Sequence, residues 1–98
     1  MRKLSYRLLA DWEIQAELLL LTNWSATPTE IERTFTFSNY QDGLIFATAV
    51  GYLAQKLNHH PDIYVGYSKV RVTLSTHDVG GLSPYDFELA ERINALEN

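Results

Sequence analysis

The chain has no cysteine. This excludes a disulfide framework, a thiolate nucleophile and any cysteine-ligated metal, and it suits a reducing compartment. Proline and glycine are scarce, and neither an internal repeat nor a low-complexity segment is present. The apolar run Leu18 to Leu21 is too short to span a bilayer. Asp11, Glu13 and Glu17 precede it, which does not fit a signal peptide. Basic runs are also missing, and the net charge is −4. That argues against a nucleic-acid backbone as direct partner. The expectation is a cytoplasmic protein that contacts neither membrane nor nucleic acid directly.

What is present suits one domain. Hydrophobic residues make up 46% and charged residues 20%, an ordinary globular balance. A chain of 98 residues buries roughly two-thirds of the surface its unfolded form exposes. That supports one core with little to spare, so oligomerisation would help. Residues 1–8 read as a short extension, partly ordered at best, and 9–98 as the domain.

Asp11 can cap a helix running to about Leu21, with Ile14, Leu18 and Leu21 on one face. A strand can start at Trp24 to Ala26. Ile31, Arg33, Phe35 and Phe37 then alternate with Glu32, Thr34, Thr36 and Ser38, a strand pattern. Ser38 to Asp42 offers caps for a long helix, in which Leu44, Ala47, Val50, Leu53, Ala54 and Leu57 recur at helical spacing. Asn58 ends it and Pro61 prevents continuation. Two strands follow, Ile63 to Tyr67 and Lys69 to Thr76. Ser83 caps a last helix, with Pro84 at its first position and Asp86 where a carboxylate complements the dipole. The order α-β-β-α-β-β-α predicts an α+β domain: an antiparallel four-stranded sheet with helices packed on one face.

The three histidines fall in two short blocks, Asn58-His59-His60-Pro61 and Thr76-His77-Asp78. Histidine exchanges protons near neutral pH. Two adjacent histidines that meet a third from a distant segment would form a compact acid–base pocket. Other readings exist. Three histidines can bind zinc, but adjacent ones on an irregular segment are awkward ligands. Ser75, His77 and Asp78 include hydrolase-triad residue types, yet their closeness on or after a strand points them to different faces, and no nucleophile elbow is present. The first block alone could be only a helix terminus, where histidine favours the dipole. Trp24, Phe35, Phe37 and Phe46 read as core, and the Leu18–Leu21 run reads as core more than as partner surface. Trp12 and Tyr64 could mark a subunit interface. Glu13, Glu17, Glu30 and Glu32 read as a solvated face.

Taken together, Gln55 through Pro61, Tyr67, Val72 through Asp78, Gly81-Leu82-Ser83 and Asp86 resemble the signature of the pterin-4a-carbinolamine dehydratase family. The likeness runs from about Leu9 to Leu96. It implies the α+β fold above, a homodimer or homotetramer, and elimination of water from 4a-hydroxytetrahydropterin in tetrahydrobiopterin recycling. No metal or organic cofactor is implied. The resemblance makes His59 and His77 the acid and base, and gives His60 the task of holding the pterin. Asn58, Ser75, Thr76 and Asp78 fall at positions that line the pterin site. Asp86 could orient a histidine, bind the ring's polar edge, or only cap its helix. One departure concerns Gln55, four residues and about one helical turn before His59, where animal members carry glutamate. A carboxylate there would favour a protonated imidazole; an amide can only hydrogen-bond. A second function class also follows from the resemblance, because relatives serve as transcription-factor dimerisation cofactors or as Rubisco assembly factors.

Overall fold

The computed structural model describes residues 2–97, so Met1 and Asn98 lie outside the described residues. The elements are α1 (Asp11–Leu20), β1 (Ser25–Ala26), β2 (Ile31–Thr36), α2 (Tyr40–Leu57), β3 (Asp62–Val65), β4 (Lys69–Leu74) and α3 (Pro84–Asn94). Short 3-10 turns follow β4 at His77–Val79 and α3 at Ala95–Glu97. The order and the class are those the sequence predicts.

All sheet pairings are antiparallel, in the spatial order β1-β2-β4-β3. Register pairs Ile31 with Leu74 and Phe35 with Val70 across the centre. Because successive side chains alternate faces, Ile31, Arg33 and Phe35 point the same way as Val70, Val72 and Leu74, and all six are buried. Thr34, Thr36, Lys69 and Arg71 are left in solvent on the opposite face. Burying each apolar member contributes about 1.5–3 kcal/mol.

The helices cover the buried face. Asn39 caps α2 by accepting the Asp42 N–H at 2.8 Å. Gly43 lets the helix lie close on the sheet: a Cβ there would sit 3.4 Å from Val70 Cγ2. Val50 and Ala54 complete that contact. On α3, Phe87, Ala90 and Ile93 are buried. Arg33 is the polar member of the six side chains on the buried sheet face. Its guanidinium lies 4.1 Å over the Phe35 ring and donates to Asn94 Oδ1 at 2.6 Å and Glu97 at 2.7 Å. Trp24 Nε1 donates to the same Asn94 oxygen at 2.8 Å.

Two expectations change. The N-cap of α1 is Ala10 rather than Asp11, and Glu13 reaches back to the Ala10 N–H at 3.0 Å. Leu21 is buried, but Leu19 and Leu20 are 87% and 83% exposed, so half of the leucine run faces solvent. The N-terminal segment also makes contacts with the helices and with the loop before α3. Arg2 ion-pairs with Glu17, Glu88 and Glu91, and the Leu9 N–H donates to the Leu82 carbonyl at 2.8 Å. Two acidic residues of α1 are therefore partnered: Glu17 with Arg2, and Glu13 with Arg7. These hydrogen bonds hold Arg2 and Arg7 above the ordinary arginine value. Those from Arg7 and the Ala10 N–H hold the Glu13 carboxyl below its ordinary one.

Candidate active site

Three chain ends converge at one edge of the domain. The first is the end of α2. Asn58 adopts the left-handed conformation at φ 51°, and its N–H returns to the Ala54 and Gln55 carbonyls. The turn separates the next two side chains. His59 goes inward and is 7% exposed; His60 stays outside. The second end is that of β4, where Thr76 is still buried and His77 opens the 3-10 turn into solvent. Gly80, at φ 73°, takes the left-handed position that closes this turn. The chain then returns beside Thr76, which bridges to Gly81. The third end is the start of α3, where Ser83 and Asp86 form a capping box.

Asp86 joins the three ends. It is completely buried at the helix N-terminus, where the dipole favours an anion. Oδ2 accepts the Ser83 N–H at 2.9 Å and the Thr76 hydroxyl at 2.7 Å. Oδ1 lies 2.6 Å from His59 Nε2. A carboxylate only accepts, so Nε2 carries the proton. The Thr76 hydroxyl already donates to Asp86, so Ser83 donates within the 2.7 Å Thr76–Ser83 pair. Among the described residues no buried side-chain nitrogen or oxygen lacks a partner. Among the described residues His59 Nδ1 has no protein partner, so it is the nitrogen left to the solvent of the cleft.

Around His59 lies a cleft of about 210 Å³, lined by Tyr6, Asn58, His60, Ser75, Thr76, His77 and Asp78. All seven residues placed at the ligand on sequence grounds therefore line one cavity. Gln55 and Asp86 do not line it. Asp86 lies beneath His59 and has no route to a ligand's edge. Gln55 Oε1 is 3.0 Å from His60 Nε2, not beside His59 as a one-turn spacing suggests. The helix ends at Leu57, and beyond the left-handed Asn58 the spacing rule no longer applies.

Sequence reasoning missed Tyr6 and Tyr85. Their rings stack at 4.4 Å with planes 17° apart, and Tyr85 is 5.6 Å from the His59 ring. One sequence signal bears on the docking of this segment. Leu9 and Ile14 hold the positions of a hydrophobic staple around the Ala10 cap, and both are buried. A larger hollow of about 420 Å³ lies between the N-terminal segment and α1. It contains no histidine, and its carboxylates are committed to Arg2 and Arg7. The smaller cleft is therefore the candidate for acid–base chemistry.

Comparisons with known proteins show the family. A family profile described as pterin 4 alpha carbinolamine dehydratase matches residues 7–96. The chain belongs to this family. A protein of Natronomonas pharaonis, whose name assigns it provisionally as a pterin-4-alpha-carbinolamine dehydratase, is 46% identical over 88 residues. That covers 90% of this chain and 94% of the relative. The crystal structure of a transcriptional coactivator/pterin dehydratase from Brucella melitensis superposes with TM-score 0.86 at 30% identity. Coverage is 92% of this chain and 98% of that one. A pterin dehydratase-like protein identified as a RuBisCO assembly factor in the alpha-carboxysome superposes with TM-score 0.62 at 26% identity, covering 74% and 84%.

Proposed function

We propose that the protein is a 4a-hydroxytetrahydropterin dehydratase that works by histidine acid–base catalysis. The observation that carries this reading is the buried Asp86 bonded to His59 at 2.6 Å, with His60 and His77 on the same cleft. Hydroxide is a poor leaving group, so the 4a-hydroxyl must gain a proton as its bond to C4a breaks. The N5 proton must leave as the double bond forms, giving quinonoid dihydropterin. General acid–base catalysis typically contributes about 10²–10⁴-fold.

His59 is suited to take the N5 proton at Nδ1, because the Asp86 carboxylate at Nε2 stabilises the imidazolium that results. His77, exposed on its turn, can deliver a proton to the departing hydroxyl and recover it from water. His60, steadied by Gln55, orients the ring. Asn58, Ser75 and Asp78 offer polar groups to its edge. The Thr76 hydroxyl is committed to Asp86, so it supports His59 rather than the ligand. The residues need no metal for these steps. The product suits tetrahydrobiopterin recycling in the cytoplasm, and the working unit is a homodimer or homotetramer. No helix among the described residues is long and apolar enough to cross a membrane.

A binding or assembly role is the second reading. It is favoured by Trp12, Leu19 and Leu20, exposed along α1 away from the histidines. The two readings are separated by one experiment. Freshly generated 4a-hydroxytetrahydropterin is mixed with the protein and followed by ultraviolet absorbance, with and without EDTA. The expected result is catalysed dehydration unchanged by chelator. A rate no faster than buffer would remove the enzymatic reading. Loss with EDTA and recovery with zinc would replace its mechanism.

A further inference from the structure

Tyr6 comes from a segment that lies outside the core elements, yet it stands beside the histidines. We propose that the N-terminal strap, residues 2–9, is a wall of the cleft, and that Tyr6 supplies the aromatic surface on which a planar bicyclic ligand rests. The proposal builds on the pterin reading above.

The strap is fastened at both ends. At one end Leu9 bonds to Leu82. At the other the Arg2 guanidinium reaches Glu17 on α1 at 2.9 Å and Glu88 on α3 at 2.7 Å. Between them Leu8 lies against Gly81, where an added Cβ would come within 2.8 Å of Leu8 Cδ1. Glycine at that position leaves room for the strap to pass.

The strap also fixes the orientation of Tyr6. One face of the ring stacks on Tyr85, and the hydroxyl donates to the Asn58 carbonyl at 3.3 Å. That carbonyl belongs to the residue whose turn aims His59. The ring centroid lies 6.5 Å from that of His59, and Tyr6 keeps 49% of its surface exposed. A held, half-exposed aromatic ring on the lip of a cleft offers a flat surface at little entropic cost. The histidines and hydroxyls around it read a ligand's polar edge; Tyr6 reads its planarity.

The test uses the full chain and 7,8-dihydrobiopterin, a stable planar pterin, in calorimetric titrations of wild type, Tyr6→Phe and Tyr6→Leu. Leucine keeps apolar bulk against Tyr85 but removes the aromatic face. Phenylalanine should bind within about 2-fold of wild type, and leucine about 3- to 10-fold more weakly, the usual range for a lost aromatic pair. The ultraviolet perturbation of the bound pterin should persist with phenylalanine and shrink with leucine, a difference that a purely structural role would not produce. Arg2→Gln, which loosens the strap without touching the cleft, should weaken binding in the same direction. Wild-type affinity and spectrum for Tyr6→Leu would overturn this inference and leave the dehydratase reading standing. A wild-type protein that neither binds dihydrobiopterin nor dehydrates the hydroxypterin would overturn both.

Discussion

Replacing Asp86 with asparagine should disable the site while leaving the fold recognisable. The two carboxylate oxygens face three donors: His59 Nε2–H on one side, the Ser83 N–H and the Thr76 hydroxyl on the other. An amide offers one acceptor oxygen and one donor nitrogen. The Ser83 N–H is backbone and cannot turn away, so the amide oxygen must stay on that side. Its NH₂ group then faces His59 Nε2. Two donors cannot share that 2.6 Å contact, so the histidine must move its proton to Nδ1. The nitrogen left to the cleft then starts as a donor and cannot accept a proton from a ligand. Loss of the charge-assisted bond should cost about 1.5–3 kcal/mol of stability, a decrease that urea denaturation can measure in a folded variant. Turnover should fall by about 10²–10⁴-fold, the scale of misdirected general-base catalysis. Nitrogen-15 chemical shifts of the His59 ring report the tautomer directly. Near-wild-type turnover in a folded Asp86→Asn protein, or an unchanged Nε2–H tautomer, would refute this reasoning.

Other outcomes follow from the same geometry. His59→Ala and His77→Ala should each lose about 10²-fold or more in kcat, while His60→Ala should raise KM more than it lowers kcat; steady-state kinetics of the three variants checks the division of roles. Gln55→Glu puts a carboxylate at the 3.0 Å contact with His60. It stabilises the His60 imidazolium by ~1 kcal/mol in water, so the pH dependence of KM, the parameter that His60 governs, should move upward by about 0.7 unit or less, and superimposable KM profiles would remove Gln55 from the site. Arg2→Ala should lower stability at pH 7 by about 1 kcal/mol. Burial raises the Glu88 carboxyl, but hydrogen bonds from Arg92 and Arg2 outweigh it and hold the group below its ordinary value of 4.5. Its contribution is therefore complete above about that pH and is lost as pH falls through the depressed value, so the difference between wild type and Arg2→Ala should shrink in melts below pH 4.

Much of the fold is legible because its periodicities are clean. Val70, Val72 and Leu74 alternate with charged and hydroxyl residues, and one register satisfies them. Asn39, Asn58 and Ser83 mark helix ends with side chains or backbone conformations that only some residues provide. Asp86 is harder to read. On the sequence, capping a helix and orienting a histidine look like alternatives, yet a carboxylate has two oxygens and here each does one of these jobs. The Gln55 partner was misread for a different reason: the spacing argument assumes a helix that has already stopped. Tyr6 was missed because nothing periodic holds it. Arg2 pairs with carboxylates up to 89 residues away, and no local pattern records a contact of that span.

Catalytic and binding roles can also separate within this fold, for a structural reason. The histidine cleft is assembled from chain ends: the last residues of α2 and β4 and the first of α3. Its requirements are turns, caps and one buried carboxylate. Most exposed apolar residues lie elsewhere, with Trp12, Leu19 and Leu20 along α1, and Leu44, Ile45 and Tyr52 along the outer face of α2. Changing these helix faces need not disturb Asn58, Gly80 or the Ser83–Asp86 cap. Equally, losing His59 or His77 need not disturb a helix face. A family member can therefore keep the scaffold and lose the chemistry, or hold both. This chain keeps all three histidines and the buried Asp86, so an assembly role, if measured, would stand beside the proposed dehydratase activity rather than exclude it.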